Sequence, residues 1–594
     1  MRGFFMPVFL TPIALLIAAG WLIEAKRPPW SSLPNEAVFG FCFGLALLGL
    51  YLFRRKPALH VSALAWVLAA WALVPWVQYG FGQITWSGDA FVLSLYLAAL
   101  ALTVAISQSL KHRTRNQWLD VLAMALLLGG VASVGLQLLQ ISGLPIEWVR
   151  RVDPSRPSAN LAQPNLLASL LLLGLLSAHY LQRVHRISTG FFVLIAVVLC
   201  VGIGFTGSRA ALVGGVVVAA WHVWVWRANR SKASAYMVAL PVCLLVAFAA
   251  SRWLLAYAQQ FAIQAGAPSS LNPEVIRMGS SLRIEAWSML LQRVWEAPWW
   301  GYGLGQTGVA HLLAQSHLHP FGAHFKQAHN LPLEMLLWLG IPMGLLVLTA
   351  AAYFLLKALR VRNERQMLAS GGMLVLLSHS MFEFPLHYSY FLLPFGVFLA
   401  YNSPAYAATK KWFKRQPTPP HLAQRHRNLP WLALPAALLL VGTGLLYRDH
   451  AQVERLMLRW GLHQMAGVQA PFHFDGTALG LMAHWQKLLY YSNPNLHLHT
   501  QNVDLAELHL VAKRFPTINV LLNYAVQLTL DGQPEQAKVW LQRACSIHSR
   551  QHCEQLKTRW EALPQLTPEA PNPAWPRTVF DVEMVGNSNS SQPP

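Results

Sequence analysis

Charge is scarce in this chain of 594 residues: Asp, Glu, Lys and Arg make up 12% of it, about half the share of a soluble domain. Acids are scarcer still, 24 against 45 Lys and Arg, for a net charge of +21. In a soluble protein that surplus would point to a nucleic-acid partner. Cysteine is also sparse. The five present show no paired CxxC spacing, which excludes a disulfide-stapled miniprotein and a zinc ribbon. There is no HExxH either, and Gly301-Tyr-Gly-Leu-Gly305 follows no strand, so it is not a dinucleotide fingerprint. Apolar residues, at 55%, are abundant enough to exclude disorder.

The surplus charge is unevenly placed. Residues 448–594 hold 12 basic and 12 acidic residues, which leaves 33 bases and 12 acids in the first 447. That first part also carries the long apolar runs, so the basic surplus belongs to a membrane.

A hydrocarbon core of ~30 Å takes about 20 apolar residues per helix. Spans of that kind lie at 4–23, 36–53, 58–78, 89–108, 117–138, 164–182, 189–205, 210–226, 235–255, 331–355 and 429–446, with weaker ones at 367–382 and 390–406. The first is not a cleavable signal, since no small-residue cleavage site precedes Glu24-Ala-Lys-Arg-Pro-Pro. Basic clusters follow every even-numbered span, from Arg54-Arg55-Lys56 to the Lys410–Arg427 segment, and with Arg2 they hold 22 of the 33 bases. Short basic loops stay cytoplasmic, so the N-terminus is expected inside and the C-terminus outside. The expected fold is all-α and polytopic, with 12–13 transmembrane helices, or with the two weak spans as a re-entrant hairpin.

The outward-facing segments are then 139–163, the turn Thr206–Arg209, the loop 256–328, the turn 383–389 and the tail. In the long loop Ile284, Trp287, Leu291, Val294 and Trp295 fall at helical spacing opposite Arg283, Glu285 and Arg293, as on a helix lying in the membrane interface. The tail divides into a helical domain, 448–565, and a Pro-, Asn- and Ser-rich end, 566–594, read as disordered. Within it, Asn523 to Ala544 reads as helix, Asp-Gly turn and helix, a tetratricopeptide-type hairpin. Cys42, Cys200 and Cys243 fall in spans. Cys545 and Cys553 fall in the tail, where a disulfide is permitted on an oxidising side.

Four outer segments carry more polar chemistry than a connecting loop needs. Pro157-Ser-Ala-Asn-Leu-Ala-Gln163-Pro-Asn165 reads either as a capped turn or as a polar platform. Arg209, at the lip of a span, reads as a snorkelling anchor or as an anion site, and Arg283 invites the same two readings. The histidine-rich end of the loop holds His311, His317, His319, His324 and His329 without a metal-ligand framework, and no metal is expected. His329-Asn330 opens a span, where the helix dipole favours a neutral imidazole; an interfacial cap is the plainer reading. Glu383-Phe-Pro-Leu-His387-Tyr388-Ser-Tyr390 reads first as an interfacial aromatic belt.

Taken together these segments resemble the O-antigen ligase and polymerase superfamily. The resemblance rests on Thr206-Gly-Ser-Arg209-Ala-Ala, then Ser281-Leu-Arg283-Ile-Glu-Ala-Trp287, Pro298-Trp-Trp-Gly301-Tyr-Gly-Leu-Gly305 and Ala328-His329-Asn330-Leu-Pro-Leu-Glu334 ahead of Gly340, in that order. Asn160-Leu-Ala-Gln163-Pro-Asn165 and the helical tail are similar to the branch of bacterial O-linked protein oligosaccharyltransferases, such as pilin glycosylation ligases. One departure is Leu166, where that branch often has histidine.

The resemblance implies an inner-membrane enzyme whose catalytic domain, 1–447, faces the periplasm. It implies transfer of a preassembled glycan from undecaprenyl pyrophosphate to Ser or Thr hydroxyls of exported, pilin-like proteins, with no cofactor, metal or nucleic acid. By motif matching His329 is the base, Arg209 and Arg283 bind pyrophosphate, and Gln163, Asn165, Asn330, Glu334, Tyr388 and Tyr390 bind or orient substrate. Glu334 lies five residues past His329, about 140° around a helix, so the spacing does not assure a direct contact between them and a structural role is the other reading. An O-antigen ligase acting on lipid A-core and a polysaccharide polymerase are the alternatives within the class. A lipid-linked sugar transporter would need charges deep inside its spans, whereas Arg209, Arg283 and His329 gather at one face. A non-catalytic scaffold survives for the tail alone.

Overall fold

The computed structural model describes residues 11–24, 28–53, 62–110, 112–144, 146–161, 163–228, 235–264, 273–314, 323–403, 433–466, 480–493, 496, 503–566, 574–576 and 578. His317, His319 and nearly all of the expected disordered end lie outside these residues.

All regular structure among the described residues is helical. The first group comprises α1 (Thr11–Leu22), α2 (Leu33–Phe53), α3 (Ala63–Trp71), α4 (Val74–Gly80), α5 (Ser87–Ser109) and α6 (His112–Ser142). Next come α7 (Pro164–Arg183), α8 (Thr189–Thr206), α9 (Arg209–Ala228), α10 (Ala235–Val238), α11 (Leu240–Gln264), α12 (Pro273–Glu296) and α13 (Thr307–Ala314). The membrane part closes with α14 (Leu331–Ala358), α15 (Glu364–Ser380), α16 (Ser389–Asn402) and α17 (Ala433–Met465). In their described residues the expected spans are helical, 58–78 and 235–255 each on two successive helices, and eight described stretches are long and apolar enough to cross a membrane. The chain is a multi-pass membrane protein.

At the centre is α7, buried at every position from Leu166 to Leu181. It packs against α6, α8 and α15. Gly174 permits the close approach of α6, since a Cβ there would sit 3.1 Å from the Leu126 carbonyl oxygen. At the basic end of the bundle, arginines from the charge clusters meet acids. Arg186 lies 3.1 Å from Asp120, and Arg183 lies 2.8 Å from Glu364.

Helix α14 is broken at Gly340, whose φ of 73° suits glycine. The break is filled by the segment after α12. Tyr302 N–H donates to Leu337 O (2.7 Å), and Ile341 N–H donates to Pro298 O (2.7 Å). Gln78 Nε2 also donates to Trp338 O (3.1 Å). The aromatic-glycine run from Pro298 is therefore a plug for a split helix.

The apolar stripe of α12 divides between two surroundings: Val294 is buried with Ala286, Met289 and Leu290 against the first half of α14, while Ile284, Leu291 and Trp295 stay exposed. The inner face is wider than periodicity alone indicates because α12 packs on protein as well.

The tail forms α18 (Ala483–Tyr491), α19 (Leu505–Arg514), α20 (Ile518–Leu530), α21 (Pro534–Ile547) and α22 (Arg550–Leu566). The hairpin turns at Gly532, φ 76°, between α20 and α21, and a Cys545–Cys553 disulfide ties α21 to α22. The cut expected after residue 447 falls inside α17, which continues unbroken to Met465. The tail is also built against α13 and the start of α5. Leu312 of α13 is buried in the core of the tail helices, and Arg514 pairs with Asp89 at the start of α5 through Nε (2.8 Å) and a second nitrogen (3.1 Å).

Candidate active site

The ends of α7, α14 and α15 and the middle of α12 converge on one carboxylate. Glu383 follows α15 in the turn before α16, and its side chain is only 1% exposed. Its Oε1 accepts from Asn165 Nδ2 (2.8 Å) and from an Arg283 guanidinium nitrogen (2.7 Å). Its Oε2 accepts from Gln163 Nε2 (3.0 Å) and meets His329 Nδ1 at 2.9 Å. Gln163, Asn165, Arg283 and His329 thus come together on a residue that motif reading leaves in an aromatic belt.

Each partner is held from behind. The platform before α7 is anchored by Asn160, whose Nδ2 donates to Leu22 O (2.7 Å) and Trp148 O (2.9 Å). Gln140 clamps Ala159 through both its N–H (2.9 Å) and its carbonyl (2.8 Å). His329 takes a left-handed backbone, φ 51°, rarely occupied by a residue with a side chain. It sits outside α14, where Asn330 caps Leu333 N–H (3.1 Å). Trp287 Nε1 donates to Ala328 O (2.6 Å), and Phe384 stands edge-on to the imidazole with centroids 4.9 Å apart.

Glu334 has a different role from Glu383. Its Oε1 accepts from Ala328 N–H (2.8 Å), and its Oε2 lies 3.1 Å from His387 Nε2. It therefore staples the His329 loop to the Glu383 turn. Tyr390 is 1% exposed in the core, while Tyr388 stacks on it at 5.0 Å and borders Phe384 at 5.9 Å. Neither tyrosine lines the cleft described next.

Burial alone would raise the Glu383 carboxyl, but the hydrogen bond and charge of His329 oppose it, helped by Arg283 and His379. Together they hold it down at about 2. It is a fixed anion that holds the imidazole by Nδ1, while Nε2 has no hydrogen-bond partner among the described residues.

Beside this pair opens a cleft of about 680 Å³ lined by Arg156, Arg209, Arg252, Arg283, Trp287 and Glu383, with Val213 and Phe248 on its apolar wall. Arg209 begins α9 behind the tight Thr206–Ser208 turn, is exposed, and has no ion-pair or hydrogen-bond partner among the described residues. Arg156 donates to Thr206 O (3.3 Å) and Arg252 to Ser155 O (3.4 Å). The Arg156 guanidinium is lowered first by burial; Glu383 and Asp153 oppose this, and Arg209 and Arg283 add to it. Four guanidinium groups and a helix N-terminus face a single buried carboxylate, so the cleft is built for an anion with several oxygens. Motif reading finds Arg209 and Arg283 but not Arg156 or Arg252. His311 and His324 lie elsewhere, their rings 5.6 Å apart beside the tail.

Residues 191–349 match the O-antigen ligase family, residues 157–181 the protein glycosylation ligase family, and residues 367–562 the C-terminal part of the virulence factor membrane-bound polymerases. Among curated proteins, the chain is 27% identical over 399 residues to a general O-oligosaccharyltransferase of Acinetobacter baylyi, covering 66% of this chain and 69% of that one. It is 28% identical over 254 residues to a ComP-specific O-oligosaccharyltransferase of the same organism, covering 42% of this chain and 44% of the relative. The two smaller matched segments and the polar cleft fall in one continuous membrane body with the Gln163 platform at its rim. Along these segments the chain is similar to the O-antigen ligase superfamily and, within it, to O-oligosaccharyltransferases.

Proposed function

We propose that the cleft takes a glycan preassembled on undecaprenyl pyrophosphate and transfers it en bloc to a Ser or Thr hydroxyl of an exported, pilin-like protein at the periplasmic face of the inner membrane. The observation that carries this reading is the His329–Glu383 pair on the rim of a cleft lined by four arginines.

The acceptor oxygen forms a bond to the anomeric carbon as the bond from that carbon to the pyrophosphate oxygen breaks. The hydroxyl proton passes to His329 Nε2, and the bonding pair leaves with the lipid pyrophosphate. General-base help of this kind contributes about 10²–10⁴-fold. Charge developing on the leaving group is met by Arg209 and Arg283, with Arg156 and Arg252 behind them. Gln163 and Asn165 orient Glu383 and so act on substrate through the base. The basic clusters support a cytoplasmic N-terminus and a periplasmic tail domain, residues 448–565.

The deciding experiment mixes purified enzyme, lipid-linked glycan and a pilin-like peptide. Glycan on the peptide supports the proposal. Glycan found only on lipid A-core or on another glycan supports the ligase or polymerase reading instead.

A further inference from the structure

We propose that Glu36 is a positioning residue for the His329–Glu383 pair and acts through the N-terminus of α16. Glu36 lies in the first turn of α2, is buried, and takes no part in the chemistry above. Its Oε1 accepts from Trp30 Nε1 (2.9 Å) and Ser32 Oγ (2.8 Å). Its Oε2 accepts from the Tyr96 hydroxyl and from Ser389 N–H (3.0 Å). Ser389 Oγ in turn donates to the Glu36 carbonyl (3.2 Å).

Ser389 is the first residue of α16, and the residue before it, Tyr388, provides no side-chain cap. A helix start leaves N–H groups without partners and favours a negative charge. Glu36 supplies both needs from another helix, so the cap of α16 comes from a residue 353 positions away.

The turn that Glu36 pins is the one that carries Glu383. Its far end is tied by Ser169 to His379 and its middle by His387 to Glu334. From Ser389 the contact runs through Tyr388 to Phe384, 5.9 Å between centroids, and from Phe384 to the His329 ring, 4.9 Å. A shift of the turn would move Glu383 relative to His329 and loosen its bond to Arg283, but leave Arg156, Arg209 and Arg252 in place, because they stand on the loop before α7, α9 and α11. Glu36 should therefore govern turnover far more than donor binding.

The kinetic arm rests on the transferase reading, so a second arm is independent of it. Glu36→Gln keeps the shape but turns N–H groups toward donors. Ser389→Pro removes the donated N–H at a helix position that accepts proline, after a Tyr388 already extended at φ −108° and ψ 130°. In the full-length enzyme each variant should lower kcat about tenfold or more with donor KM within about twofold. Each should also speed amide exchange across 383–392, and the double variant should be no worse than either single one.

Wild-type exchange across 383–392 in both variants, or additive losses in the double variant, would overturn the proposal. If wild-type enzyme moves no glycan to protein, the transferase reading falls and the exchange arm still decides the role of Glu36. If Glu36→Gln does not accumulate in the membrane, Ser389→Pro decides alone, since it leaves the buried carboxylate its other donors.

Discussion

His329 and Glu383 are separated by 54 positions in sequence and by 2.9 Å in space. The imidazole is fixed at Nδ1 by a carboxylate that burial would otherwise expel, and only its other nitrogen remains for chemistry. His329→Ala should lower transfer about 10²–10⁴-fold with little change in donor KM. Glu383→Gln, which keeps the size but not the charge, should cost on the order of 10²-fold in kcat. Both are read by initial rates of peptide glycosylation, and a wild-type rate in either variant would remove the base assignment.

Acid should unsettle the same centre. The Glu383 carboxyl lies at about 2 in the folded protein against an ordinary value of 4.5. Because the folded value is the lower one, its stabilisation is complete above 4.5 and is lost as pH falls from there through about 2. A shift of that size is worth on the order of 3 kcal/mol to the folded state. Melting temperature followed from pH 6 downward should show a fall that Glu383→Gln flattens. An unchanged slope in that variant would place the acid sensitivity elsewhere.

The arginines separate by partner. Among the described residues Arg209 has none to lose, so Arg209→Ala should raise donor KM and leave the fold intact. Gly207 tests Arg252 indirectly: a Cβ there would lie 1.6 Å from a guanidinium nitrogen of Arg252, at a φ of +60°. Gly207→Ala should cost about 1–2 kcal/mol in backbone strain and displace Arg252, raising donor KM as well. Binding of a lipid pyrophosphate measured by calorimetry would show both effects without turnover.

How far the sequence discloses this centre depends on the range of each interaction. The helices are legible because hydropathy over about 20 residues decides membrane crossing locally. Gln163, Arg283 and His329 are legible by motif, but their common partner is not. Glu383 is 220 positions from Gln163, and among Phe384, Tyr388 and Tyr390 its neighbours suggest an interface. Arg252 hides within an apolar span, where a lone cation reads as a snorkelling side chain. For Glu334, helical spacing leaves contact with His329 open, and the structure directs the carboxylate to Ala328 and His387. The spacing gives no sign of the staple, because His329 lies before the cap with φ 51° and Glu334 reaches back to Ala328 N–H. The continuity of α17 across residue 447 is missed because composition changes there while the backbone does not.

The docking of the tail supplies the last test. Arg514 holds Asp89 through two nitrogens, and His484 lies 4.0 Å from the same carboxylate. Removing the arginine leaves Asp89 largely buried without its main partner, a loss of about 3 kcal/mol or more for a pair of this kind. Leu312 of α13 belongs to the tail's core, and the chain from α13 leads on to His329. Arg514→Ala should therefore loosen α13 and α19 together and slow transfer, although neither helix touches the cleft. Arg514→Lys should restore part of the effect, since one of the two contacts can be remade. Hydrogen exchange over 305–314 and 505–514 reads the coupling directly. Exchange that rises in α19 but not in α13 would show the tail to be a separate body and would leave Leu312 as an incidental contact.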